Sequence, residues 1–108
     1  MLGYFEPPYY AVIFTSVRGG DTEGYDATAA RMFELASQRE GFLGVDLARG
    51  DIGITISYWR DLEAIRRWRE QVEHLEAQRL GRERWYARYR VRIARVEREY
   101  GRDSPELL

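Results

Sequence analysis

The chain has no cysteine, and its 108 residues also contain no lysine, no asparagine and only one histidine. The lack of thiols excludes disulfides, thiolate metal sites and a cysteine nucleophile. With one imidazole there is no cluster of His, Asp and Glu at metal-ligand spacing, so no metal is expected. No glycine loop of the kind that cradles phosphate is present, and no serine nucleophile motif. The formal net charge of −1 provides no global field to draw the chain to nucleic acid or a membrane. No apolar run approaches the roughly 20 residues that cross a bilayer. The opening Met1-Leu2-Gly3-Tyr4-Phe5-Glu6-Pro7-Pro8 has neither the basic start nor the apolar centre of a secretory leader, so a cytoplasmic location is expected. All 17 basic residues are arginine, and a GC-rich coding sequence explains the missing lysine and asparagine most simply.

What the chain does have is apolar and aromatic mass. Residues of the apolar class make up 44% and aromatics 14% of a length that suits one domain, 1–108. A core this small cannot hold every ring, so a pocket or a partner is expected to take the surplus.

The order of elements follows from periodicity. Pro7-Pro8 marks residues 1–8 as an extended arm, because proline sits in neither a helix interior nor a central strand. Tyr9 to Ser16 is β-prone and apolar at both parities, as in a strand buried on two faces. A helix follows, from between Thr22 and Asp26 to near Arg39, with Ala29, Met32, Phe33 and Ala36 as its apolar stripe and Gly41 as its stop. Phe42–Ala48 and Ile52–Trp59 read as a hairpin about Arg49-Gly50-Asp51. In the second of these strands, Ile52, Ile54, Ile56 and Tyr58 share one face, and Thr55, Ser57 and Trp59 the other. Asp61 caps a second helical segment whose buried side is Leu62, Ile65, Val72 and Leu75, close to Trp68, with a break expected near Val72 and a stop at Gly81. Trp85–Tyr100 alternates again, Tyr89, Val91 and Ile93 against Arg88, Arg90 and Arg92, and slips phase at Ala94 and Val96, which predicts a bulge or a twist there. Gly101–Leu108 is a polar tail, expected to be mobile.

The order β-α-β-β-α-β predicts a ferredoxin-like α+β fold with an antiparallel four-stranded sheet. Two helices cover only one face of such a sheet. The other face carries bulky groups as well, and a second copy packed sheet to sheet, a homodimer, is the economical cover.

The stretch Gly53-Ile54-Thr55-Ile56-Ser57-Tyr58-Trp59, followed by Leu62-Glu63-Ala64-Ile65 and Trp68, resembles the antibiotic biosynthesis monooxygenase superfamily. Gly41-Phe42-Leu43-Gly44-Val45 fits the second strand of that family. Glu73-His74, Ala77-Gln78, Gly81-Arg82, Trp85-Tyr86, Tyr89 and Arg92 look like an uncharacterised branch of it, so the resemblance spans roughly residues 9–100. It implies a dimeric α+β barrel with a pocket between sheet and helices in each subunit. Activities in such folds include cofactor-free oxidation of anthrones and quinols, haem degradation and roles without oxygenation; the fold does not choose among them. Haem-degrading members resemble this chain at Trp59 and Trp68, but their iron-ligating histidine falls near Gln78. His74 lies one turn earlier, about 6 Å back along the axis. Phe14 and Thr15 also stand where those enzymes use asparagine.

Within this frame His74 is the candidate base for an acidic phenol or anthrone, with Gln71 and Gln78 beside it at helical spacing. The plainer alternative is a half-exposed helix histidine bonded to a carbonyl or a glutamate. Arg82 can stabilise an oxyanion or simply bind the last carbonyls of the helix. Trp59, Trp68, Trp85 and Tyr86 can wall a flat pocket with Gln78, or pack as core and interface. The arginines from Arg88 to Arg95 interleave with aromatics as in RNA-binding sheets, but the Gly-aromatic pattern of those sheets is missing, so no nucleic-acid partner is expected. The expectation is thus a homodimer that binds a small hydrophobic or aromatic molecule and oxidises it with O₂, with no cofactor. The rivals are a binding module without chemistry and a haem-binding or haem-degrading protein.

Overall fold

A computed structural model describes residues 4–102. Residues 1–3 of the expected arm, 103–108 of the expected tail and the side chain of Val72 lie outside the described residues. The elements are β1 (Tyr9–Arg18), α1 (Tyr25–Ser37), β2 (Phe42–Arg49), β3 (Gly53–Trp59), α2 (Leu62–Arg69), α3 (Val72–Leu80), a wide π-type turn (Gly81–Trp85) and β4 (Tyr86–Val96). The strands form one antiparallel sheet in the order β2-β3-β1-β4, the ferredoxin-like arrangement. The second helical segment does break, with Glu70 and Gln71 separating α2 from α3.

Register assigns every strand residue to a face, because residues directly opposite each other in an antiparallel pair point the same way. Tyr10 faces Trp59, Val12 faces Ser57 and Ile93, and Phe14 faces Thr55 and Val91. These residues look toward the helices, and Trp59, Ala36, Ala64, Ile65 and Trp68 form the core with Tyr10, Val12, Met32, Leu35 and Phe42 around them. Trp59 is fully buried, and its indole N–H donates to Ser57 at 2.9 Å, so the ring hides without an orphaned donor. The opposite face carries Ile13, Ile54, Ile56 and Tyr58, with Arg88, Arg90 and Arg92 along the β4 edge; no helix covers it.

Three local expectations need correction. The stripe of α1 is rotated: Tyr25 and Ala36 are buried and Leu35 partly so, whereas Ala29 and Phe33 are exposed. The phase slip of β4 lies at its start: Val17 faces Arg88 but Arg18 faces Tyr86, which leaves Ala87 as the extra residue. Ala94 and Val96 pair regularly. As expected, α3 ends at Leu80 with Gly81 as its C-cap, and a φ of −59° there leads the backbone into the wide turn. The small size of Gly81 also matters, because a Cβ there would lie 2.9 Å from the Tyr86 ring. Leu62 and Leu75, expected to be buried, are exposed. Phe5 of the arm packs on the sheet, its ring meeting Tyr9 and Tyr58 at 5.5 and 5.7 Å.

Much of the aromatic surplus is absorbed inside the chain. One group runs Phe33–Phe42–Trp59–Trp68–His74, each ring touching the next. A second joins Tyr25, Trp85, Tyr86, Phe14 and Tyr89 at the far end of β1.

Candidate functional site

Asp61 begins α2 by accepting the Ala64 N–H at 2.8 Å, a cap of the kind worth about 1 kcal/mol. From there Leu62, Ile65, Arg66 and Arg69 recur at i, i+3, i+4 and i+7, so they share one face of α2. Leu75 and Gln78 present the matching face of α3, at i and i+3. Together with Glu70 and Ile93 of β4 these residues line an open groove of about 410 Å³. The floor is apolar, and the last turn of α2 brings charge to the rim. On the helix side β4 stays accessible, with Tyr89, Val91 and Ile93 each more than 40% exposed.

His74 stands on α3 one turn before Gln78. Its place is fixed from two directions. The Gln71 side chain caps α3 by accepting the His74 backbone N–H at 2.7 Å. The imidazole lies flat on Trp68, and its Nδ1 is 2.9 Å from the Trp68 carbonyl. A carbonyl oxygen only accepts, so Nδ1 carries the proton and Nε2 keeps its lone pair. Burial holds the His74 pKa below its ordinary value, opposed by the bond to Trp68 and reinforced by the charge of Arg69. The ring is therefore neutral near pH 7 and basic at Nε2.

The other expected site residues divide between two ends of the sheet. Trp59 and Trp68 are buried in the core with Ile65, stacked 6.1 Å apart, and Gln78 lines the groove directly. Trp85 is buried elsewhere, its indole N–H donating to the Glu23 carbonyl at 2.9 Å. The Tyr86 hydroxyl donates to that of Tyr25 at 3.1 Å, and burial, then this bond, pushes its pKa up. Tyr10 and Arg18, opposite Trp59 and Tyr86 respectively, are eight residues apart on β1. At about 3.3 Å per residue that is roughly 26 Å, too far for one small pocket. Arg82 is exposed in the wide turn and makes no hydrogen bond or ion pair among the described residues. Neither Arg82 nor His74 lines the groove itself.

Sequence reasoning took Leu62, Ile65 and Leu75 for simple core and passed over Arg66, Arg69, Glu70 and Ile93. The available signal was the α2 stripe, whose first turn is apolar and whose last turn is cationic. Among the described residues no group of three His, Asp or Glu side chains converges to hold a metal ion, and no helix is long and apolar enough to cross a membrane.

Comparison with known proteins bears on this geometry. Residues 8–80 match the family model described as Antibiotic biosynthesis monooxygenase. The chain is 50% identical over 96 residues to the uncharacterized protein YqjZ of Bacillus subtilis, covering 87% of this chain and 84% of that protein. Rv0793 from Mycobacterium tuberculosis superposes with a TM-score of 0.75 at 16% identity, over 86% of this chain and 99% of that one. SnoaB, a cofactor-independent oxygenase from Streptomyces nogalater, gives a TM-score of 0.69 at 16% identity, over 91% of this chain and 100% of that one. At such identities the likeness to these two structures speaks for the fold alone.

Proposed function

Because this chain belongs to the antibiotic biosynthesis monooxygenase family, we propose that it is a cofactor-independent monooxygenase acting on a small aromatic or hydrophobic molecule of anthrone or quinol type. The observation that carries this reading is the tautomer of His74. Its Nδ1–H is committed to the Trp68 carbonyl, which leaves a neutral Nε2 as a base one helical turn from Gln78 in the groove. SnoaB supports the same reading as a cofactor-independent oxygenase on this fold.

In this scheme the apolar floor holds the ring system, and Nε2, set back from the groove by one turn, removes a proton from an activated CH₂ or hydroxyl that reaches past Gln78. The resulting carbanion or phenolate transfers an electron to O₂, and the radical pair combines to a peroxide. Loss of water then leaves the carbonyl product, so a CH₂ group and O₂ become C=O and H₂O. Arg82 is the expected anion stabiliser; its place in the exposed turn means that any such role needs the substrate, or a partner copy, to reach it. A haem reading finds less support: the groove position that would face iron is the amide of Gln78, and His74 is stacked on Trp68.

The second part of the proposal is a homodimer built on the uncovered sheet face. Ile13, Ile54 and Ile56 lie there without a helix above them, and burying them against a second copy removes that apolar surface from water.

Oxygen uptake with 1,8-dihydroxyanthrone tests the enzyme reading. Wild-type protein should speed uptake well above the spontaneous rate, and His74→Ala should lower turnover about 10²–10⁴-fold. Binding without any added oxygen consumption would instead leave a small-molecule-binding module.

A further inference from the structure

Four arginine and glutamate side chains of α2 and its C-cap are tied to one another. Arg66 pairs with Glu63 and, at 2.8 Å, with Glu70, while Arg67 reaches Glu63 at 3.4 Å. Arg69 is different. It lines the groove yet makes no hydrogen bond or ion pair among the described residues. On α2 it is four residues beyond Ile65 and three beyond Arg66, so it ends the apolar floor on the same face. Glu70, the acidic residue at that rim, is already held by Arg66. The groove therefore has an apolar bed with one uncommitted guanidinium at its mouth.

We infer that the groove selects a small apolar molecule bearing one anionic oxygen group, a carboxylate or an ionised phenol, and that Arg69 is the residue that reads that group. The inference rests on the groove being the binding site, as proposed above. The apolar body lies on Leu62, Ile65, Leu75 and Ile93, and the anionic oxygens meet the planar guanidinium fork. Arg66 cannot serve as well, because a ligand would have to displace two carboxylates from it. The charge of Arg69 also reaches His74 and favours its neutral form. An anion on Arg69 would offset that field and raise the basicity of Nε2 when ligand is bound.

Isothermal titration of the full chain with three naphthalene probes tests this. 2-Naphthoate carries a carboxylate, 2,4-dinitro-1-naphtholate an ionised phenol, and 2-naphthalenemethanol no charge. The anions should bind wild type more tightly than the alcohol. Arg69→Gln should weaken an anion about tenfold and leave the alcohol unchanged. Arg67→Gln removes the same charge from α2 away from the groove and should change none of the three by more than about twofold. Circular dichroism of both variants checks that the helix is retained. Weakening confined to one anion assigns the groove to that acid and upholds the inference. Equal weakening of all three probes, no effect of Arg69→Gln, or an equal effect of Arg67→Gln overturns it while the groove itself stands. Failure of all three probes to bind wild type overturns the groove, and the role of Arg69 falls with it.

Discussion

The imidazole of His74 lies parallel to the indole of Trp68, with ring centroids 4.2 Å apart and planes 17° apart, while its Nδ1 meets the backbone carbonyl of that same tryptophan. One residue thus supplies both the surface that desolvates the histidine and the acceptor that sets its tautomer. The linkage has consequences for rate and for stability.

Burial depresses the folded pKa of His74 below the unfolded value of about 6.5. The unfolded chain therefore binds the proton more tightly. The stabilisation from neutral His74 is present above pH 6.5 and is lost as pH falls through the folded pKa. Denaturant titrations between pH 7 and 5 should show stability declining, and His74→Gln should reduce that slope. Turnover should fall on the same acid limb in wild type, since the base works only when neutral. A limb centred well above pH 6.5 would contradict the assignment.

Trp59 has none of its surface exposed and touches Phe42 and Trp68 by ring contacts. Trp59→Ala should cost about 3–5 kcal/mol in chemical unfolding, through lost burial and an unfilled cavity. Trp59→Phe should cost less, since its ring refills most of the cavity and the main remaining loss is the indole N–H bond to Ser57.

Gly41 has φ of +90°, and a Cβ there would come 2.5 Å from the Cβ of Ala64. Gly41→Ala should lower stability by about 1–3 kcal/mol, read from the denaturation midpoint. Adding Ala64→Gly should recover the steric part and leave the conformational part. Full additivity of the two changes would show that the contact is not the cause.

On the uncovered face, the Tyr58 hydroxyl donates to Asp46 at 2.7 Å, and its pKa is pushed up to about 12, by burial first and by this bond next. A folded pKa above the unfolded value of about 10 adds stability that is whole below pH 10 and lost as pH rises toward 12. Tyr58→Phe should flatten part of that alkaline decline in thermal melts. Tyr9, bonded to Glu99 at 2.5 Å and shifted the same way, should account for much of the remainder.

Ile56 faces Ile13 across β1 and β3 on the side without helices. Sedimentation should give a dimer for wild type and a monomer for Ile56→Asp, because a carboxylate there would be buried without a partner. A monomeric wild type would remove the sheet-to-sheet dimer from the proposal.

The sequence alone determined the element order, the strand faces and the cap at Asp61, all of which rest on local rules. Alternation put Trp59 with Ser57 and Tyr58 with Ile56, and the ladder register agrees. Periodicity was weaker where two surfaces compete for one helix. On α2 and α3 an apolar stripe looks the same whether it meets a core or borders a groove, so Leu62 and Leu75 read as buried although they are exposed. The rings of Trp59 and Tyr86 looked alike as pocket walls, because pattern carries no measure of distance along a sheet. Only the tertiary structure separated them, gave His74 its bond to the Trp68 carbonyl and left Arg69 without a carboxylate partner among the described residues. Those three outcomes depend on which side chains meet across elements, a matter of packing and charge pairing that no local spacing encodes.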